Sequence, residues 1–105
     1  MLGSAFAKHR MRRVLFVDLG KNIHVYRQEA LAWGMTIVAI ADAKLGGRGF
    51  RYAGLDVLTD EQALERSFDG VVISNLSPVH AAKRRNHWQT LNLPVPVIDL
   101  FQFAS

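Results

Sequence analysis

VLFVDLGKNIHVYRQEALAWGMTIVAIAD, residues Val14 to Asp42, sets the architecture of this 105-residue chain. Its first four residues are an unbroken apolar run between Arg13 and Asp18, the pattern of a strand buried on both faces. Lys21 to Trp33 then has helical spacing: Ile23, Tyr26, Ala30 and Leu31 stand at i, i+3, i+7 and i+8, and Gly34 sits where a cap glycine belongs. The β-branched run Thr36 to Ala41 predicts a second buried strand, which closes at Asp42.

Working outward, the same alternation continues. Ala43 to Gly54 holds Gly46, Gly47, Gly49 and Gly54 among basic residues and reads as a loop, with at most a short extended piece near Phe50 to Tyr52. Thr59 and Gln62 have capping-box spacing, with Asp60 and Glu61 suited to the first turn of a short helix over Asp60 to Ser67. Gly70 precedes a third buried strand, Val71 to Ile73, after which Ser77-Pro78 offers an N-cap with proline at the first helical position. That helix runs to about Leu91, burying Ala81, Trp88 and Leu91, while Trp33 and Trp88 both read as packing aromatics. Pro94 and Pro96 bracket the start of a last strand, Val97 to Phe101.

Unbroken apolar strands alternating with helices specify an α/β fold: a three-layer Rossmann-like domain over residues 13–105. It has a mainly parallel sheet of four or five strands and helices on both faces. The expected strand order is 3-2-1-4, with Val71 to Ile73 flanking the first strand on the side away from the second. Residues 1–12 read as a lead-in helix or linker.

Composition narrows the class. Half the residues are hydrophobic, which fits a compact domain, and no apolar run approaches the roughly 20 residues of a membrane helix. No membrane partner is therefore expected. Absence of cysteine excludes disulfides and thiolate metal sites, and suits a cytoplasmic setting. The net charge of +4 is divided among Lys8 to Arg13, the loop with Lys44, Arg48 and Arg51, and Lys83-Arg84-Arg85. Three separate patches favour a solvated or anion-binding surface over a stripe that tracks a duplex, so nucleic acid is not an expected partner. His9, His24 and His87 lack metal-ligand spacing.

Ligands of open parallel sheets bind at the carboxyl ends of strands, where strand order reverses. On the first turn, the phosphate-binding pattern G-x-G-x-x-G places Asp18 at the first glycine, Gly20 at the second and Ile23 at the third. Only the second survives. Gly20, Lys21 and Asn22 are the expected phosphate contacts, with Ile23 holding the helix away from the strand. Asp42, 22 residues beyond Gly20 (42 minus 20), has the spacing of a ribose-binding acid. Lys44 and Arg48 beyond it suit a ribose phosphate, which would favour NADP over NAD.

The segment DGVVISNLSPVHAA, Asp69 to Ala82, resembles the third-strand signature of glucose-fructose and inositol dehydrogenase-like oxidoreductases. With the first strand-helix-strand unit, the resemblance covers most of Val14 to Leu91. It implies that Ser74, Asn75, Ser77, Pro78 and His80 line an NAD or NADP site. The chain is also similar to small Rossmann-like domains of nucleotide-sugar-modifying enzymes and to CoA-binding domains. These resemblances imply a nucleotide-binding module, part of or partner to a larger enzyme, with no catalytic residue assigned. VLFVDLG further resembles the acidic first-strand end of receiver domains, but Ser74 and Asn75 stand where their phosphorylated aspartate would. The alternative expectation is a non-catalytic interaction domain, a homodimer paired through an uncovered sheet edge.

Overall fold

The computed structural model describes residues 11–20, 23–75 and 77–99. The lead-in before Met11, the expected phosphate contacts Lys21 and Asn22, and the end of the last expected strand at Leu100 and Phe101 lie outside the described residues.

β1 (Arg13–Val17) is followed by α1 (Ile23–Ala32) and β2 (Thr36–Ala41). β3 (Arg51–Tyr52) and β4 (Leu55–Leu58) form a hairpin, then come α2 (Asp60–Ala63), β5 (Gly70–Ile73), α3 (Pro78–Thr90) and β6 (Val97–Asp99). The sheet order is β3-β4-β2-β1-β5-β6. β1 pairs in parallel with β2 on one side and β5 on the other, so strand order reverses at β1. β4 and β6 extend the parallel sheet, whereas β3 runs antiparallel to β4.

The four- or five-stranded expectation is thus corrected to six strands in a mixed sheet among the described residues. The short extended piece expected near Phe50 to Tyr52 is β3; the missed element is β4, which pairs with it to complete a hairpin. Its two turn residues, Ala53 and Gly54, both have positive φ (50° and 81°), as a tight turn matching strand twist requires. Alanine is a poor candidate for that conformation, so Ala53 conceals a turn that asparagine would have announced.

The pleat of β1 divides the core. Val14 and Phe16 join a cluster with Ile23, Tyr26 and Ala30 of α1, while Leu15 and Val17 join one with Ala63 of α2 and Ala81 and Trp88 of α3. Tyr26 meets Phe16 edge-on, at 6.4 Å between ring centroids. Burial, and then the charges of Asp99 and Glu29, push the Tyr26 hydroxyl up to about 12.

Three further expectations change. Leu31 and Trp33 are half exposed because the helix end turns them to solvent; of the two tryptophans, only Trp88 lies in the core. Ile23 does not prop α1 off the sheet but fills the cluster beneath it. The helix after Thr59 ends at Ala63, although the capping box is present, with Gln62 N donating to Thr59 Oγ1 and Thr59 N to Gln62 Oε1.

Glycine sits at two close approaches, one against backbone and one against a side chain. A Cβ on Gly46 would lie 2.2 Å from the Leu58 carbonyl oxygen, so the loop after β2 can pass the end of β4 only without a side chain. A Cβ on Gly70 would collide with the Met11 side chain, which is itself buried. At the amino end of β1, the Asp69 carboxylate accepts hydrogen bonds from the backbone N–H groups of Arg12 and Arg13. No described helix is long and apolar enough to cross a membrane.

Candidate functional site

The carboxyl ends of β1, β2 and β5 meet in a cleft of about 340 Å³. It is lined by Asp18, Leu19, Gly20, Asp42, Ala43, Lys44, Asn75, His80, Lys83 and Arg84. Gly20, Asp42, Lys44, Asn75 and His80 are therefore brought together as the sequence predicts.

Arg48 is exposed in the glycine loop and does not line this cleft. Ser74, Ser77 and Pro78 also stand outside its lining. Ser74 is buried: its hydroxyl lies 2.8 Å from the Val17 carbonyl oxygen and 2.7 Å from that of Asp18, a single donor shared between two acceptors. It fastens β5 to β1 and shapes the turn. Ser77 occupies the N-cap of α3 but makes no side-chain capping bond; its backbone N–H donates instead to Asn75 Oδ1 at 2.8 Å. Pro78 takes the first helical position, where its missing N–H costs nothing.

Asp42 is a clamp. Its Oδ2 accepts the Leu19 N–H, and its Oδ1 accepts those of Lys44 and Leu45, each at 2.9 Å. Burial alone would raise its carboxyl, but these three donors together with the charge of Arg84 outweigh it and hold the pKa below the usual carboxylate range. The acid thus binds the β1 turn to the β2 turn. A carboxylate oxygen has two lone pairs, so Oδ2, with one N–H bound, keeps capacity for a further donor.

Asp18 adopts φ +75°, the left-handed conformation that a first glycine would supply. Asparagine and aspartate tolerate it best among other residues, and here three neighbours enforce it. Ser74 holds its carbonyl, Asn75 Nδ2 donates to its Oδ2 at 3.1 Å, and Arg84 Nε donates to its Oδ1 at 2.9 Å. Arg84 continues to Asp60 at the start of α2 through Nη1 and Nη2, at 2.9 and 2.8 Å. Bonding to Asp60 above all raises the Arg84 pKa despite partial burial. The negative charge that Asp18 brings to the turn is therefore partly offset within the fold, by one guanidinium shared with Asp60.

Arg84 and Lys83 are the cleft residues that sequence reasoning passed over. Helical spacing carried the signal for Arg84, which lies three residues after Ala81 and four before Trp88, both fully buried. A cation on that inward stripe requires carboxylates. Arg85 shares the stripe and pairs with Asp99, a buried carboxylate at the end of β6.

Gly20 has ordinary rather than left-handed backbone, and a Cβ there would meet the Ser74 carbonyl oxygen at 3.5 Å, an acceptable contact. Its carbonyl accepts from Ile23 N at 3.2 Å as α1 begins. Among the described residues, no side-chain hydrogen bond or ion pair engages Lys44, His80 or Lys83 at the cleft rim, and all three are exposed. No group of three or more His, Cys, Asp or Glu capable of holding a metal occurs among the described residues.

No family model matches the chain, and no curated protein and no solved structure matches it either.

Proposed function

We propose that this chain is a Rossmann-like nucleotide-binding module of three layers, whose ligand enters the cleft at the ends of β1, β2 and β5. The observation that carries the reading is the division of charge there. Asp18 is bound into the fold and Asp42 joins two turns while keeping acceptor capacity on Oδ2, whereas Lys44, His80 and Lys83 are uncommitted at the rim. That leaves a concave site, at the reversal of strand order, with the cations of Lys44 and Lys83 offered to an anion. A ribose hydroxyl would reach Asp42 Oδ2, and phosphate the Gly20 side or the α3 rim. NAD, NADP, CoA, nucleotide sugars and mononucleotides form the candidate class, and the module would serve a larger enzyme rather than catalyse alone.

Isothermal titration with that whole panel tests the reading. Binding by at least one member, weakened about tenfold or more in Lys44→Glu because an attractive charge becomes repulsive, is expected. Absence of heat with every member refutes it.

A second reading, a dimerisation domain, is favoured by one observation: β6 pairs on one side only among the described residues. Joining a second copy through that edge predicts a concentration-dependent dimer in sedimentation; a strict monomer excludes it.

A further inference from the structure

The cleft also bears on the size of its ligand, and this inference rests on the nucleotide-binding reading above. We infer that the site takes a single 5′-mononucleotide, with its phosphate against His80 and Lys83 of α3, and not a dinucleotide laid across the sheet.

Three observations lead there. A dinucleotide on an open parallel sheet places its pyrophosphate over the turn after β1, close to backbone that glycine leaves bare. In this chain the first of those positions carries the Asp18 side chain, standing between the β2 side of the cleft, with Asp42 and Lys44, and the β5 side, with Asn75, His80 and Lys83. Asp18 is not free to swing aside. Arg84 and Asn75 hold its two carboxylate oxygens, and Arg84 is itself tied to Asp60. A pyrophosphate crossing β1 would have to displace this charged strut, trading charge-assisted bonds already made for new ones.

The second observation is the placement of two uncommitted polar side chains. His80 and Lys83 are three residues apart on α3 and so share one face, beside the cleft, on the β5 side of the strut. A terminal phosphate reaches both without crossing Asp18. The third is size: about 340 Å³ stands at the small end of the roughly 300–1,000 Å³ typical of ligand pockets. Leu19 and Ala43 supply apolar lining for the base, on the side of Lys44.

The experiment is a titration of the full chain, by calorimetry and amide chemical shifts, with AMP, GMP, CMP and UMP, their nucleosides, NAD, NADP and inorganic phosphate. The expected result is that one mononucleotide binds at least about tenfold tighter than its nucleoside, than inorganic phosphate and than either dinucleotide. Lys83→Ala should lower that affinity about tenfold, and Lys83→Arg should retain most of it. Because Lys83 is exposed, an unchanged thermal transition in both variants is the folding control. NAD or NADP binding more tightly than every mononucleotide would overturn the inference while leaving a nucleotide site standing. So would inorganic phosphate matching the mononucleotides, or an affinity indifferent to Lys83→Ala. Silence with every compound would overturn this inference; the reading beneath it falls only when CoA and the nucleotide sugars are silent as well.

Discussion

Replacing Arg84 with methionine removes the one guanidinium that joins β1, α2 and α3. The Arg84, Asp18 and Asp60 side chains are each 16% exposed, so little solvent screens them. At an effective dielectric of about 20, unit charges about 4 Å apart attract by roughly 4 kcal/mol. Two such attractions are offset by the cost, several kcal/mol, of withdrawing an ion from water. Removing the cation leaves two part-buried carboxylates without a guanidinium, Asp18 holding only the Asn75 amide and Asp60 only the half-exposed His87, so the net destabilisation should be about 3 kcal/mol. With a urea slope of about 1.5 kcal/mol/M, the unfolding midpoint should fall by about 2 M. Trp88, fully buried, provides the fluorescence signal, and Trp33→Phe removes the half-exposed second tryptophan. Arg84→Lys keeps the charge but loses the forked contact with Asp60, and should fall between wild type and methionine. In a double-mutant cycle, Asp18→Asn should cost less in the methionine background than in wild type, by more than about 1 kcal/mol. A midpoint within about 0.3 M of wild type, or additive costs in the cycle, would refute the claim that Arg84 fixes the turn.

Four further outcomes follow from the same geometry. Asp42→Asn leaves one carbonyl oxygen where two carboxylate oxygens accepted three N–H groups, and should destabilise by about 2 kcal/mol in denaturant titration. Because the folded Asp42 carboxyl titrates below its unfolded value of about 3.9, its stabilisation is complete above that pH and is lost as pH falls through the folded value. Acid unfolding monitored by circular dichroism should therefore be less steep in Asp42→Asn. Gly46→Ala drives a methyl into the Leu58 carbonyl and should cost more than about 3 kcal/mol, or prevent folding, as read from soluble yield and thermal midpoint. Ala53→Asn suits the left-handed turn and should raise stability by about 0.5–1 kcal/mol; a lower melting temperature would contradict the turn assignment.

The central strands β1 and β5 were legible because Val14 to Val17 and Val71 to Ile73 are unbroken apolar runs buried on both faces. The hairpin was not, since Leu55 to Leu58 carries a charge at Asp56 and turns on an alanine in a conformation alanine rarely adopts. At the cleft, strand-end logic anticipated that Gly20, Asp42, Asn75 and His80 would lie together, because topology alone sends those ends to one side. What the polar groups do there depended on partners distant in sequence. Asp18 gains its cation from Arg84, 66 residues away, and Ser74 spends its hydroxyl on carbonyls 56 and 57 residues back. Neither pairing leaves a local pattern, although the inward position of Arg84 between Ala81 and Trp88 did signal a buried carboxylate.

β1 is stapled at both ends by aspartates that capture backbone N–H groups: Asp69 holds Arg12 and Arg13 beneath it, and Asp42 holds Leu19 above. It also has a parallel neighbour on each side along its length. Its amides should consequently exchange with deuterium only through global unfolding, while those of β3 and β6 at the sheet margins exchange through smaller openings. The strand that leads into Asp18 should thus be the last part of the sheet to open, with the turn above it held while the margins breathe.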